Sequence, residues 1–185
     1  MTNAALSKIE ITSRLNAIDD AFGIYPRPGD DAIGPGTIDL RVGSAFLAAE
    51  RSSAPSVVAS DPQAARKLFG EVRIRRGYKF VMQPRQFVLA STFEYIAMPN
   101  DLVGLIQSRS TYGRMGIISA TAAFVGPGYK GCPTLELVNV GEVAVELDAY
   151  EPICQLILLS TEQPPMPPSR YQCATRPEFA RSTRR

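Results

Sequence analysis

The chain has 185 residues, of which 45% are hydrophobic and 21% charged, with a formal net charge of +2. This length predicts one domain with a real core. The weak charge argues against a nucleic-acid coat, and no apolar run or signal peptide points to a membrane or to export, so a soluble cytoplasmic protein is expected.

Ser7 with Glu10 three residues on is a capping-box pattern. Leu6, Ile9, Leu15 and Ile18 follow helical spacing, so an N-terminal helix is expected, ended by Gly23 and the Pro26–Pro28 pair. Gly34–Pro35–Gly36 turns the chain into a strand over 37–42, in which Asp39 and Arg41 share a face and can form an ion pair. Residues 50–70 read as an insertion. Asp61–Pro62 predicts the start of a short helix to Phe69, with Gly70 as its C′ residue. Val72–Arg73–Ile74–Arg75 alternates like an edge strand with a solvated basic face.

From Phe87 onward the apolar runs are short and dense: 87–90, 93–98, 102–107, 134–139, 143–147 and 153–160. Regular short strands without a strong long helix predict an all-β sandwich or barrel over residues 1–160. Residues 161–185 form a separate tail. Pro164, Pro165, Pro167 and Pro168 stiffen its start, and Arg170, Tyr171, Arg176, Arg181, Arg184 and Arg185 follow against one acid, Glu178.

Two features point to chemistry. Arg109, Ser110, Thr111 and Arg114 gather two guanidinium groups and two hydroxyls within six residues, a set suited to phosphate. Glu136 interrupts an apolar strand in which Leu135 and Leu137 face one way and Thr134, Glu136 and Val138 the other. Spacing alone leaves two readings of Glu136 open: a solvated strand acid, or a half-buried carboxylate whose raised pKa suits acid–base work. The chain has no histidine, and Cys132, Cys154 and Cys173 lack CxxC spacing. Catalytic His triads are excluded, and zinc sites of the usual kind are not expected.

The order of these pieces resembles the dCTP deaminase branch of the dUTPase superfamily. The matching segments are GTIDLRVG (36–43), QPRQFVLASTFEYIAMPNDLVG (83–104), RSTYGRMG (109–116), TAAFVGPGYKG (121–131), TLELVN (134–139) and ICQL (153–156). The resemblance implies a distorted jelly-roll β-barrel with a short N-terminal helix, assembled as a homotrimer with sites between subunits. It implies a nucleoside triphosphate substrate, magnesium carried by the triphosphate oxygens, and no zinc. By position, Glu136 corresponds to the glutamate that activates water at C4 of cytosine. Arg114 corresponds to the arginine that orients this water, and Ser110 to a hydroxyl beside it. Arg109, Thr111, Thr121, Ala122, Thr134, Leu135 and Gln155 correspond to substrate-binding positions. In the tail, Tyr171 matches a triphosphate-contacting tyrosine, and Arg176 stands where a lysine is usual.

Two departures qualify the resemblance. Val125–Gly126–Pro127–Gly128 stands where Ile–Asp–Pro–Gly is usual, so the aspartate that touches deoxyribose, and positions water for dUTP hydrolysis, is missing. Ala123–Phe124 resembles the bifunctional deaminase–dUTPases more than the monofunctional deaminases, which often have His–Arg there. The expectation is zinc-independent deamination of dCTP to dUTP. The alternatives are a non-catalytic or altered-specificity nucleotide-binding homologue, and a dUTP pyrophosphatase, which Gly126 disfavours.

Overall fold

The computed structural model describes residues 4–181 apart from 18–20, 51, 53, 123 and 163–168. Ile18, Ala123, Pro164, Pro165, Pro167, Pro168, Arg184 and Arg185, all named above, lie outside the described residues. In chain order the elements begin with α1 (Lys8–Asn16), β1 (Gly23–Tyr25), β2 (Ile38–Arg41), β3 (Ala45–Ala49) and α2 (Pro62–Arg66). Then come β4 (Phe69–Arg73), β5 (Lys79–Met82), β6 (Phe87–Ser91), β7 (Tyr95–Ala97), β8 (Leu102–Ser108) and α3 (Ser110–Arg114). The series closes with β9 (Ile117–Ser119), β10 (Phe124–Val125), β11 (Lys130–Gly131), β12 (Thr134–Asn139), β13 (Val145–Asp148) and β14 (Pro152–Ser160).

The protein is mostly β. Two larger sheets, ordered β4-β3-β6-β12-β9 and β10-β8-β14-β2, are joined by a three-stranded sheet β1-β7-β11 and the pair β13-β5. Strict alternation sets the core: Ile38 and Leu40 of β2, Leu156 and Leu158 of β14, and Leu135 and Leu137 of β12 are all at most 1% exposed and belong to one apolar cluster. Burying each such side chain stabilises the fold by about 1.5–3 kcal/mol. Phe46 stacks on Phe80 with ring centroids 4.3 Å apart, tying β3 to β5.

The capping box at Ser7 is present. The Ser7 amide donates to Glu10 Oε2 at 2.8 Å, and the Glu10 amide to Ser7 Oγ at 3.3 Å. The helix itself is shorter and less amphipathic than its spacing predicts. It stops at Asn16, buries Ile11, and leaves Ile9 81% exposed. A bidentate contact of Arg14 to Asp101, at 2.9 and 3.1 Å, pins it to the domain instead. The second helix starts as expected, with Asp61 accepting from the Ala64 amide at 3.2 Å, but it ends at Arg66. Gly70 is not its C′ residue: Phe69 and Gly70 already pair with Ala49 and Ala48 in the edge strand β4.

The expected Asp39–Arg41 ion pair is replaced by two others. On β2 both side chains leave the core, and each meets a closer partner from a neighbouring element. Arg41 donates through Nε to the buried Glu94 Oε1 at 2.6 Å and through its amide to Oε2 at 2.8 Å. The Arg109 guanidinium donates to Asp39 Oδ2, and Gln155 Nε2 donates to Asp39 Oδ1 at 2.8 Å.

Candidate active site

Strand β12 lies between β6 and β9, with Glu136 opposite Leu89. Its burial alternates, with Leu135, Leu137 and Asn139 inside and Thr134, Glu136 and Val138 half-buried on the other face. The chain after β9 is fastened to this strand. The Ala120 amide donates to the Glu136 carbonyl at 2.7 Å, and the Glu136 amide donates to Thr121 Oγ1 at 2.9 Å. Ser119 Oγ lies 2.6 Å from Thr121 Oγ1, which fixes the hydroxyl further.

Glu136 therefore stands in the wall of a cavity of about 650 Å3 whose lining includes Thr121, Ala122, Thr134 and Tyr171. Phe69, Phe87, Leu89 and Ile106 make other parts of the wall apolar. Burial pushes the Glu136 carboxyl above the ordinary glutamate value, because water is withdrawn from its charged form. A carboxylate of this kind is a candidate general base.

The arginine motif forms a helical turn, α3. Tyr112 is 5% exposed and anchors it; burial, reinforced by a hydrogen bond to Glu151, pushes its phenol up. The Arg109 amide donates to the Ile153 carbonyl at 3.3 Å, and its guanidinium is held by Asp39. Ser110, Thr111 and Arg114 are exposed. None of Arg109, Ser110, Thr111 and Arg114 belongs to the cavity wall. The loop after α3 meets β12 at its far end from Glu136, where the Val140 amide donates to the Gly116 carbonyl at 2.8 Å. One chain thus carries a carboxylate cavity and, apart from it, an exposed Arg–Ser–Thr turn.

A family model described as dCTP deaminase-like matches residues 6–161, most of the chain and both of these features. The chain belongs to the dCTP deaminase-like family. A dCTP deaminase of Halorubrum lacusprofundi is 36% identical over 95% of this chain and 90% of its own length. A dUMP-forming dCTP deaminase of Methanothermobacter thermautotrophicus is 34% identical over 80% of this chain and 79% of its own. The fold is similar to that of the solved 2'-deoxycytidine 5'-triphosphate deaminase from Agrobacterium tumefaciens, with a TM-score of 0.67 and 19% identity. That match covers 86% of this chain, which spans half the length of the solved one.

In this dCTP deaminase-like chain the remaining expected positions divide. Leu135 is fully buried on the core face of β12, and Gln155 is bonded to Asp39; neither lines the cavity. Arg176 is exposed and outside the wall. Gly126 is in the wall, and a Cβ there would meet only the Phe124 ring, at 3.3 Å.

The tail supplies residues that the sequence does not single out. After the undescribed proline segment, residues 169–181 lie on the domain. The Cys173 amide donates to the Lys130 carbonyl and the Cys132 amide to the Ala174 carbonyl, both at 2.7 Å. Gln172 reaches the Lys130 amide at 3.0 Å and the Gly128 carbonyl at 2.9 Å. Phe179 packs edge-on against Phe69, with centroids 4.9 Å apart, and Glu178 and Phe179 both enter the cavity wall. Phe69 and Phe179 carry no chemical signal in sequence: an apolar residue in an insertion and another in a basic tail show no periodicity.

Proposed function

We propose that this protein deaminates dCTP to dUTP and ammonia, with Glu136 as the general base. The observation that carries the reading is the raised, half-buried carboxylate of Glu136 in a cavity large enough for a nucleoside. Glu136 takes a proton from water, and the resulting hydroxide adds to C4 of the cytosine. The protonated Glu136 gives that proton to N3, its carboxylate then carries the C4 hydroxyl proton to N4, the C4–N4 bond breaks, and ammonia leaves as the C4 carbonyl forms. Thr121 and Ala122 are assigned to the base, Thr134 and Tyr171 to the nucleotide at the cavity's rim.

The fold is taken to be the distorted jelly roll of the dUTPase type, and the working unit a homotrimer. The separation of the two halves of the site supports an assembly of copies, in which an exposed Arg109–Arg114 turn on one copy completes the Glu136 cavity of another. Arg114 and Ser110 then hold the attacking water and the developing charge, while Arg109 and Thr111 face phosphate. Among the described residues no group of three or more His, Cys, Asp or Glu could hold a metal ion. Magnesium is assigned to the triphosphate oxygens of the substrate, whose charge it offsets. No helix is long and apolar enough to cross a membrane. The reaction is assigned to the cytoplasm, with no nucleic-acid partner.

A second reading, hydrolysis onward to dUMP, has support in the name of the Methanothermobacter relative. Gly126, which brings no carboxylate to the cavity, favours stopping at dUTP. The decisive assay follows ammonia and pyrophosphate together from dCTP, CTP, dCMP and dUTP with magnesium. Ammonia without pyrophosphate from dCTP, lost in Glu136→Gln, supports the first reading. Both products from dCTP support the second, and nucleotide binding without either product overturns both in favour of a non-catalytic homologue.

A further inference from the structure

The cavity wall holds two carboxylates among the described residues, and the mechanism uses one. Glu136 comes from β12, Glu178 from the docked tail. Their relative position is fixed by the strand. The Glu178 amide donates to Thr134 Oγ1 at 3.0 Å, and Thr134 is two residues before Glu136 on the same face. Neighbours on one face of a strand are about 7 Å apart, so Thr134 holds the tail backbone against the face of β12 that carries the reactive carboxylate.

The Glu178 side chain is oriented rather than loose. Arg181 donates to its Oε2 through Nη2 at 3.0 Å and through Nε at 3.3 Å. Arg181 is itself set against Tyr171, with the guanidinium 5.5 Å from the ring centroid and the amide 3.3 Å from the phenol oxygen. Both Arg181 contacts fall on Oε2, and among the described residues Oε1 takes no hydrogen bond. Gly126, elsewhere in the wall, brings no side chain to the cavity.

We propose that Glu178 is a substrate-contacting specificity residue whose Oε1 accepts a hydrogen bond from a sugar hydroxyl of the bound nucleotide. The inference rests on the nucleotide reading given above. A carboxylate oxygen accepts from a hydroxyl, so the free Oε1 suits the ribosyl moiety. The contact exists only when the tail is docked, through Thr134, Phe69 and the Gln172 bonds. Selection for the sugar and closure over the site are therefore one event.

The test compares dCTP with its 2',3'-dideoxy analogue, which lacks the 3'-hydroxyl, in wild type, Glu178→Ala and Glu178→Gln. A hydrogen bond to a charged acceptor is worth about 10- to 100-fold in kcat/KM. Glu178→Ala should lose that factor on dCTP and little on the dideoxy substrate. Glu178→Gln, which keeps an acceptor at the same place, should recover part of it. An equal loss on both substrates would overturn the proposal, because a merely structural tail residue affects both alike. So would no loss on either. If the wild type releases no ammonia, the deaminase reading fails by itself. The same three proteins are then compared by calorimetric binding of the two nucleotides, where an unchanged dCTP preference in Glu178→Ala, or no binding by the wild type, overturns the assignment of Glu178.

Discussion

The guanidinium of Arg109, first residue of the arginine motif, is bonded to the carboxylate of Asp39 on β2, whose other oxygen is taken by Gln155 of β14. Three segments far apart in sequence thus meet at one carboxylate. Arg109 immediately precedes α3, so the pair sets where the exposed Ser110, Thr111 and Arg114 stand. Asp39→Ala should leave the Arg109 guanidinium, one-third exposed, without its anion. The expected cost is about 1–2 kcal/mol after allowance for solvent screening. A fall in Tm with a loss of kcat larger than the rise in KM would mark a positioning role. Unchanged Tm and kcat would show that α3 is held by Tyr112 alone.

Glu136→Gln should lower kcat by about 100- to 10,000-fold, the usual worth of a general base. The raised pKa of Glu136 also predicts a stability effect of definite sign. An acid that holds its proton more tightly when folded favours the fold below its unfolded pKa, and that contribution is lost as pH rises through the folded pKa. Glutamine imitates the protonated form, so Glu136→Gln should be the more stable protein at neutral pH. The difference should vanish below about pH 4, where glutamate is protonated in both states. Thermal melts of the two proteins across pH check this; a wild type that is the more stable at neutral pH would contradict the burial argument. In the wild type, the acid limb of kcat/KM should lie above the ordinary glutamate range.

The strands that could be read from sequence are those whose alternation is undisturbed. Leu135, Glu136 and Leu137 stand on the expected faces, and β12 has its expected limits. Short strands such as β9, β10 and β11, of two or three residues, have too few positions for a period to register. The Asp39–Arg41 pair does not form because adjacency within a strand competes with neighbours across the sheet, and Gln155 lies directly opposite Asp39 in register. The carboxylate and the arginine motif were legible as residue types in order. Their separation within one chain was not, because no local pattern encodes how far a turn at one end of β12 lies from its middle. Glu178 stands out only as the lone acid among arginines; its place in the cavity depends on the tail's hydrogen bonds with Gly128, Lys130 and Thr134, which sequence spacing does not connect.

That separation has a direct test. If one copy supplies Glu136 and another Arg114, Glu136→Gln and Arg114→Ala should each be inactive alone, yet regain activity when mixed and reassembled. Random exchange leaves about a quarter of the inter-copy sites with both groups intact, so recovery should approach that fraction of wild-type activity. Light scattering fixes the oligomeric state in parallel. A monomer, or a mixed oligomer without recovery, would mean that Arg114 and Glu136 do not work together across an interface.

Gly126 is the position at which product identity can be changed. Its backbone does not need glycine: unlike Gly128, with φ of +72°, it is not in the left-handed region. A Cβ at 126 meets only the Phe124 ring, at 3.3 Å, and that ring is 62% exposed and free to swing outward. Gly126→Asp should therefore fold, with a stability change within about 1 kcal/mol, and should place a new carboxylate in the cavity that holds Glu136. If the missing acid is what limits hydrolysis, the variant should release pyrophosphate from dUTP, and from dCTP after ammonia, while the parent releases ammonia alone. A folded Gly126→Asp protein that deaminates and yields no pyrophosphate would show that the cavity lacks more than one carboxylate for that reaction.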